Sequence, residues 1–199
     1  MSVKNLVSGI ALNRRRGQLD LTPFDFPAVL SKPKQVLVCL PGNLRQLTLV
    51  KQFLPGLVKL FKPAEITLLS MPGIRITDIF PRKGFRILTP TSDQTTWSGL
   101  ARKNYLKLLQ ETRFDLVLDL NLESSNFVSS ILLGFPEALR IGRGNHLGQP
   151  FYNLEIKTKY LRDERNIYRS LIETLSQLKS GRSSRPVPDS ESASEELCT

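Results

Sequence analysis

The stretch from Lys34 to Pro63, KQVLVCLPGNLRQLTLVKQFLPGLVKLFKP, restricts the fold more than any other part of the chain. It opens on an apolar run, Val36-Leu37-Val38-Cys39-Leu40, too short for a free-standing helix and containing two β-branched residues that favour extended backbone. Pro41-Gly42-Asn43 breaks the run. Apolar residues then recur at threes and fours, with Leu44, Leu47, Leu49, Val50, Phe53, Leu54, Leu57, Val58, Leu60 and Phe61, which is the pattern of a helix. A strand apolar on both faces, a tight turn and a helix together open a doubly wound α/β domain. In such sheets ligands bind at the carboxyl edge of the strands, where this turn lies.

The rest of the chain continues the alternation. Pro63 ends the first helix, and Glu65–Ser70 reads as a second strand with Met71-Pro72-Gly73 as its turn. Ile74, Ile76, Ile79 and Phe80 fit a helical turn or an edge segment equally well. Gly84–Leu88 is a short third strand. Thr89-Pro90-Thr91-Ser92-Asp93 supplies capping residues for a helix over 94–111, with Trp97, Leu100, Ala101, Tyr105, Leu108 and Leu109 on its apolar face. Phe114–Leu120 reads as a central strand. A helix over 124–133 follows, stopped by Gly134 and Pro136. Leu139–Arg143 is a further strand, Phe151–Ile156 an edge strand, and a charged helix over 160–179 closes the pattern. The order β, α, β, β, α, β, α, β, α predicts a mostly parallel, Rossmann-like sheet with helices on both faces.

This places one domain at residues 34–179, after a basic, Pro-containing leader at 1–33 and before a polar tail at 180–199. In the leader, Pro23, Pro27 and Pro33 argue against a long helix, and Phe24 and Phe26 are expected to pack as an extended arm. Its start, MSVKNLVSGIALNRRRG, puts three Arg after the apolar stretch, the reverse of a secretory signal, and leaves a short amphipathic anchor open. The tail is rich in Ser, Glu and Pro and is expected to be disordered.

Lys and Arg number 28 against 18 Asp and Glu, giving +10 and a pI near 9.9. Residues 180–199 hold two Arg and four acids, so the preceding residues carry +12. That excess attracts polyanions such as nucleic acid, phosphorylated glycolipid or an anionic membrane, or it serves solubility alone. The two cysteines, Cys39 in the first strand and Cys198 in the tail, make no disulfide framework and suit a reducing, cytoplasmic compartment. No apolar run reaches the ~20 residues of a membrane span.

Familiar catalytic signatures are missing. His146 has no Cys or acidic partner at metal-ligand spacing. Gly142-Arg143-Gly144 lacks the third glycine of a dinucleotide fingerprint, and Pro41-Gly42-Asn43 lacks the Gly-Lys-Ser/Thr ending of a phosphate loop. No metal or cofactor is expected. Asp115 falls at the start of the central strand. Asp119 falls nearer the ligand edge, where it either acts in a site or caps and pairs structurally.

Several segments in sequence order resemble a known family. Phe114-Asp115-Leu116-Val117-Leu118-Asp119-Leu120-Asn121 is similar to the Tyr-Asp-Leu-Val-Ile-Asp-Leu-Gln strand of the heptosyltransferase-like glycosyltransferases, glycosyltransferase family nine. Ser129-Ser130-Ile131-Leu132-Leu133-Gly134, Arg140-Ile141-Gly142 and Phe151-Tyr152-Asn153 follow, as in the family. The resemblance spans about residues 35–178. It implies a GT-B enzyme's amino-terminal half, which receives the acceptor. The carboxy-terminal half, which holds most of the nucleotide-sugar, has no counterpart after the last helix. The resemblance also sets Leu44-Arg45-Gln46 on the family's Leu-Gly-Asp, whose Asp is regarded as the base for the acceptor hydroxyl. An amide at Gln46 has no useful basicity, and Arg45 puts a cation at the mouth of the site.

The expectation is therefore a heptosyltransferase-related domain in cell-envelope lipopolysaccharide or polysaccharide synthesis, inactive alone and with no catalytic residue. Candidate residues for an anionic sugar or glycolipid acceptor are Asn43, Arg45, Gln46, Asn121, Arg143 and Asn145. A second reading is an active transferase paired with a separately encoded chain that supplies the donor domain. A third is nucleic-acid binding, ranked last because no reading helix or aromatic platform is identifiable. Peripheral association with the inner face of the cytoplasmic membrane is compatible with the first.

Overall fold

The computed structural model describes residues 3–17, 25–80, 84–144 and 150–180. In chain order the elements are α1 (Val3–Arg16), α2 (Phe26–Ser31), β1 (Gln35–Cys39), α3 (Leu44–Phe61), β2 (Glu65–Leu69), β3 (Arg86–Leu88), α4 (Lys103–Gln110), β4 (Leu116–Asp119), α5 (Asn126–Leu132), β5 (Leu139–Arg143), β6 (Leu154–Ile156) and α6 (Glu164–Lys179). The six strands form one sheet in the order β3-β2-β1-β4-β5-β6, and every pairing in it is parallel. The chain winds outward from β1 in one direction, then returns to β4 and winds in the other. That is the Rossmann-like order expected from the alternation of elements.

Alternation along the strands divides the core in two. Val36, Val38 and Leu40, with Leu116, Leu118 and Leu120, face a layer built from α3 and α6. Leu37, Cys39 and Val117 face the opposite layer, which includes Tyr105 and Leu109 of α4, Phe127 and Ile131 of α5, and Leu12 of α1. A strand buried on both sides favours apolar residues at successive positions, which is why Val36–Cys39 of β1 and Leu116–Leu118 of β4 are unbroken apolar runs. Asn43 caps α3: its side-chain oxygen accepts from the Arg45 N–H at 2.9 Å. Pro55 sits on the exposed side of that helix, where water can hydrate the carbonyl left without a donor.

Besides small shifts at element ends, among them a last helix that begins at Glu164 and not at 160, the structure departs from the sequence reading in two places. The helix expected over 94–111 is shorter. Ser92–Gln94 is a single 3-10 turn, Thr95 bridges to Ala101, and α4 begins only at Lys103. Gly99 has φ +84°, a left-handed backbone that interrupts a helix, and it follows β-branched Thr95 and Thr96. Trp97 is consequently 62% exposed and does not line an apolar helix face. The leader also differs: residues 3–16 form a 14-residue helix, and Phe26 opens α2, capped by Asp25, so Phe26 is not part of an extended arm. All three prolines that argued against a helix follow α1 in sequence. Phe24, Asn145, His146 and the tail from 181 onward lie outside the described residues.

Candidate functional site

Because every strand is parallel, β1, β4, β5 and β6 deliver the turns that follow them to one edge of the sheet. The same geometry starts α3 and α6 at that edge. Asn43, Arg45 and Gln46 follow β1, Asn121 follows β4, and Arg143 ends β5. These five sit on neighbouring strands of the order β1-β4-β5.

The most connected group at this edge is one the sequence reading assembled only in part. Gln46 is 5% exposed, and its amide Nε2 donates to Oε1 of Glu164 at 3.0 Å. Nε of Arg45 stands 3.1 Å from Oε2 of the same carboxylate. That second contact is a charge-to-charge approach and not an aligned hydrogen bond. Glu164 is the first residue of α6, so the carboxylate lies at a helix amino terminus, where the aligned peptide dipoles favour negative charge. Asp163 caps α6 by accepting from the Asn166 N–H at 3.1 Å. The amino termini of α3 and α6 thus meet through one shared carboxylate. Beside it lies an open cavity of about 670 Å³, lined by Leu44, Arg45, Thr48, Arg162, Glu164 and Arg165 among others. Arg165 is tied to α3 by donating to Oε1 of Gln52 at 2.7 Å.

Glu164, Arg162 and Arg165 were not singled out from the sequence. The only signal was the Asp163-Glu164 pair, a cap followed by an acid in the first turn, and it was obscured by placing the helix start at residue 160.

Asp119 is a different kind of carboxylate. It is 2% exposed. One oxygen accepts from the Tyr152 hydroxyl at 2.7 Å. The other accepts from the backbone N–H of Asn121 at 2.9 Å and from its side-chain amide at 2.7 Å. Burial and the Asp119 charge push the Tyr152 hydroxyl far above its ordinary pKa of 10.0. Burial first and then Asp119 also push up the Cys39 thiol, so this cysteine is held as a neutral core residue. Asn121, one of the six candidates, has its amide committed to this network. Asp115, at the other end of β4, accepts from the N–H groups of Lys34 and Gln35 at 2.7 and 2.9 Å and ties β1 to β4.

The same network explains the segments that carried the family resemblance. A Cβ on Gly142 would lie 2.3 Å from the Tyr152 ring, so only glycine leaves room for that ring. Arg140 is buried and donates through Nε to Oδ1 of Asn153 at 3.1 Å, and that oxygen also accepts from the Arg140 N–H at 2.9 Å. Arg-Ile-Gly and Phe-Tyr-Asn are therefore packing partners that fix β5 against the loop entering β6.

The chain is similar in fold to a solved heptosyltransferase. Against E. coli heptosyltransferase WaaC with ADP the TM-score is 0.50 at 17% identity, over 77% of this chain and 49% of that chain. WaaC with ADP-2-deoxy-2-fluoro heptose gives 0.49 at 15% identity, over 77% and 50%. The glycosyl transferase family 9 structure from Veillonella parvula DSM 2008 gives 0.46 at 16% identity, over 80% and 43%. The chain spans about half the length of these proteins. No family model and no curated protein matches the sequence. At such identities the likeness to WaaC establishes the fold alone, a Rossmann-like α/β domain, and the chemistry has to be argued from the residues. Among the described residues no group of three His, Cys, Asp or Glu could hold a metal ion.

Proposed function

We propose that this chain is an acceptor-side domain related to heptosyltransferases, which binds an anionic sugar or glycolipid of the cell envelope without itself removing a proton from it. The observation that carries the reading is the Gln46 amide, buried at the strand-end mouth and donating to Glu164. A side chain in that state is a fixed hydrogen-bond donor. It cannot accept a hydroxyl proton near neutral pH. Binding is a different matter. Arg45 is 78% exposed, and Arg162 and Arg165 line the same cavity, so guanidinium groups are available for phosphate or carboxylate. Arg143 extends the positive edge along β5.

The test is binding of a heptose phosphate and of a phosphorylated lipopolysaccharide-core oligosaccharide, followed by calorimetry. Replacing both Arg45 and Arg143 by Ala is expected to weaken binding at least about tenfold, the loss of one to two charge-assisted contacts. Equal binding by the double variant and the parent would sink the reading.

One observation favours a second reading, an active transferase completed by a donor-holding domain. Glu164 places a carboxylate 3.0 Å from the amide that stands where a base is needed. In that case the acceptor hydroxyl oxygen would bond to the anomeric carbon, its proton would pass to Glu164, and the nucleoside diphosphate would leave with the bonding pair. Turnover of ADP-heptose in the presence of a donor domain, abolished by Glu164→Gln, would establish this reading over the first.

A further inference from the structure

From the way α1 is mounted we infer that this chain docks on an anionic lipid bilayer through that helix and Trp97. The helix has two faces with different fates. Ser8 and Leu12, four residues apart, are buried against the body of the domain, and the Ser8 hydroxyl accepts from the Asn126 amide of α5 at 2.8 Å. Val3, Leu6, Val7 and Ile10 recur at i, i+3, i+4 and i+7, so they share a face, and that face points outward. Leu6 is 56% exposed and Ile10 63%. A helix already anchored on one side has no reason of its own to carry a second apolar stripe.

Charge identifies the occupant. The sequence MSVKNLVSGIALNRRRG contains no acid, and α1 ends on Arg14-Arg15-Arg16. The basic rim continues onto the domain: Arg15, Trp97, Arg102 and Lys103 line one open depression of about 550 Å³. An apolar stripe rimmed by cations, with an exposed Trp beside it, is the composition of a helix lying in the headgroup layer of an anionic membrane. Nucleic acid would meet the cations but gain nothing from four aliphatic side chains. A second copy of this chain would bring the like-charged rim against itself. Among the described residues no helix is long and apolar enough to cross a membrane, so the contact is interfacial. It involves the layer of α4 and α5, on the opposite side of the sheet from the Gln46–Glu164 cluster, and can be measured without any sugar.

Trp97 is the chain's single Trp, so its fluorescence reports on the contact directly. Mixing the full chain with phosphatidylglycerol-containing vesicles should shift the emission to the blue and carry the protein with floated vesicles. Pure phosphatidylcholine should do neither, and added salt should reverse the binding. Leu6→Glu with Ile10→Glu changes only exposed positions. It should leave the circular dichroism and melting temperature intact and lower vesicle partitioning at least about tenfold. The proposal is overturned by failure to bind anionic vesicles at low salt, or by equal binding of the double variant. It is equally overturned by a concentration-dependent dimer that the double variant abolishes, which would assign the face to a second copy.

Discussion

Two carboxylates stand at the carboxyl edge of this sheet, and they have little else in common. Asp119 is 2% exposed and accepts from Tyr152 and twice from Asn121. Glu164 keeps a side chain 20% exposed and faces an amide, a guanidinium and an open cavity. The first is enclosed by partners that belong to the core. The second is shared between two helix termini and reachable from solvent. A carboxylate near the ligand edge is thus no guide to function until its partners are known. Asp119 holds the fold together, and Glu164 is the acid a ligand could meet.

The widest separation between the two should appear in stability. Asp119→Ala removes three charge-assisted hydrogen bonds and leaves the Tyr152 hydroxyl and the Asn121 amide unpartnered in the core. A loss on the order of 4 kcal/mol is expected, read as a fall in the urea midpoint with unchanged slope. Glu164→Gln should cost about 1 kcal/mol or less, because the amide can still accept from Gln46 and the site is partly hydrated. Equal losses at the two positions would erase the distinction.

The contrast also shows how much of the molecule was legible in its sequence. The sheet was: Val36–Cys39 of β1 and Leu116–Leu118 of β4 are apolar without a break and buried, which reads as central strand, and α3 follows from apolar residues at threes and fours. The family resemblance was legible as well, yet two of its segments, Arg140-Ile141-Gly142 and Phe151-Tyr152-Asn153, turn out to be mutual packing contacts. They identify a fold through its core and are silent on reactivity. The site was only half legible. Arg45 and Gln46 lie next to a readable strand end, whereas Glu164 reaches them from 118 residues away. No local pattern encodes that meeting. The leader was legible only as a short apolar stretch before an Arg cluster, because which face of α1 docks and which looks outward depends on Ser8, Leu12 and Asn126 meeting in three dimensions. Trp97 was misplaced for a local reason, the left-handed backbone of Gly99, which hydrophobic spacing does not reveal.

A smaller effect separates the sites by pH. Burial, reinforced by the Asp119 charge, holds the Tyr152 hydroxyl protonated well above 10.0, whereas in the unfolded chain it ionises near that value. The folded pKa is the raised one. The contribution is therefore complete below pH 10 and lost progressively as the pH climbs from 10 toward the folded pKa. Unfolding free energy measured in urea at successive pH values above 10 should fall. In Tyr152→Phe the slope should be shallower by up to about 1.4 kcal/mol per pH unit. An unchanged slope would mean that the Tyr152 hydroxyl is not buried beside Asp119 in solution.

The smallest expected change lies at Arg45. Its side chain is 78% exposed and meets Glu164 without an aligned hydrogen bond, so solvent screens the pair and side-chain entropy opposes it. Arg45→Ala should alter the unfolding free energy by less than about 1 kcal/mol. Raising the salt concentration should shrink even that difference, because an exposed pair is screened. A loss of several kcal/mol would make Arg45 a structural strut and place Glu164 in the same class as Asp119. A near-zero loss leaves the guanidinium free to turn from Glu164 toward an anion in the cavity, which is the property that distinguishes a binding edge from a core.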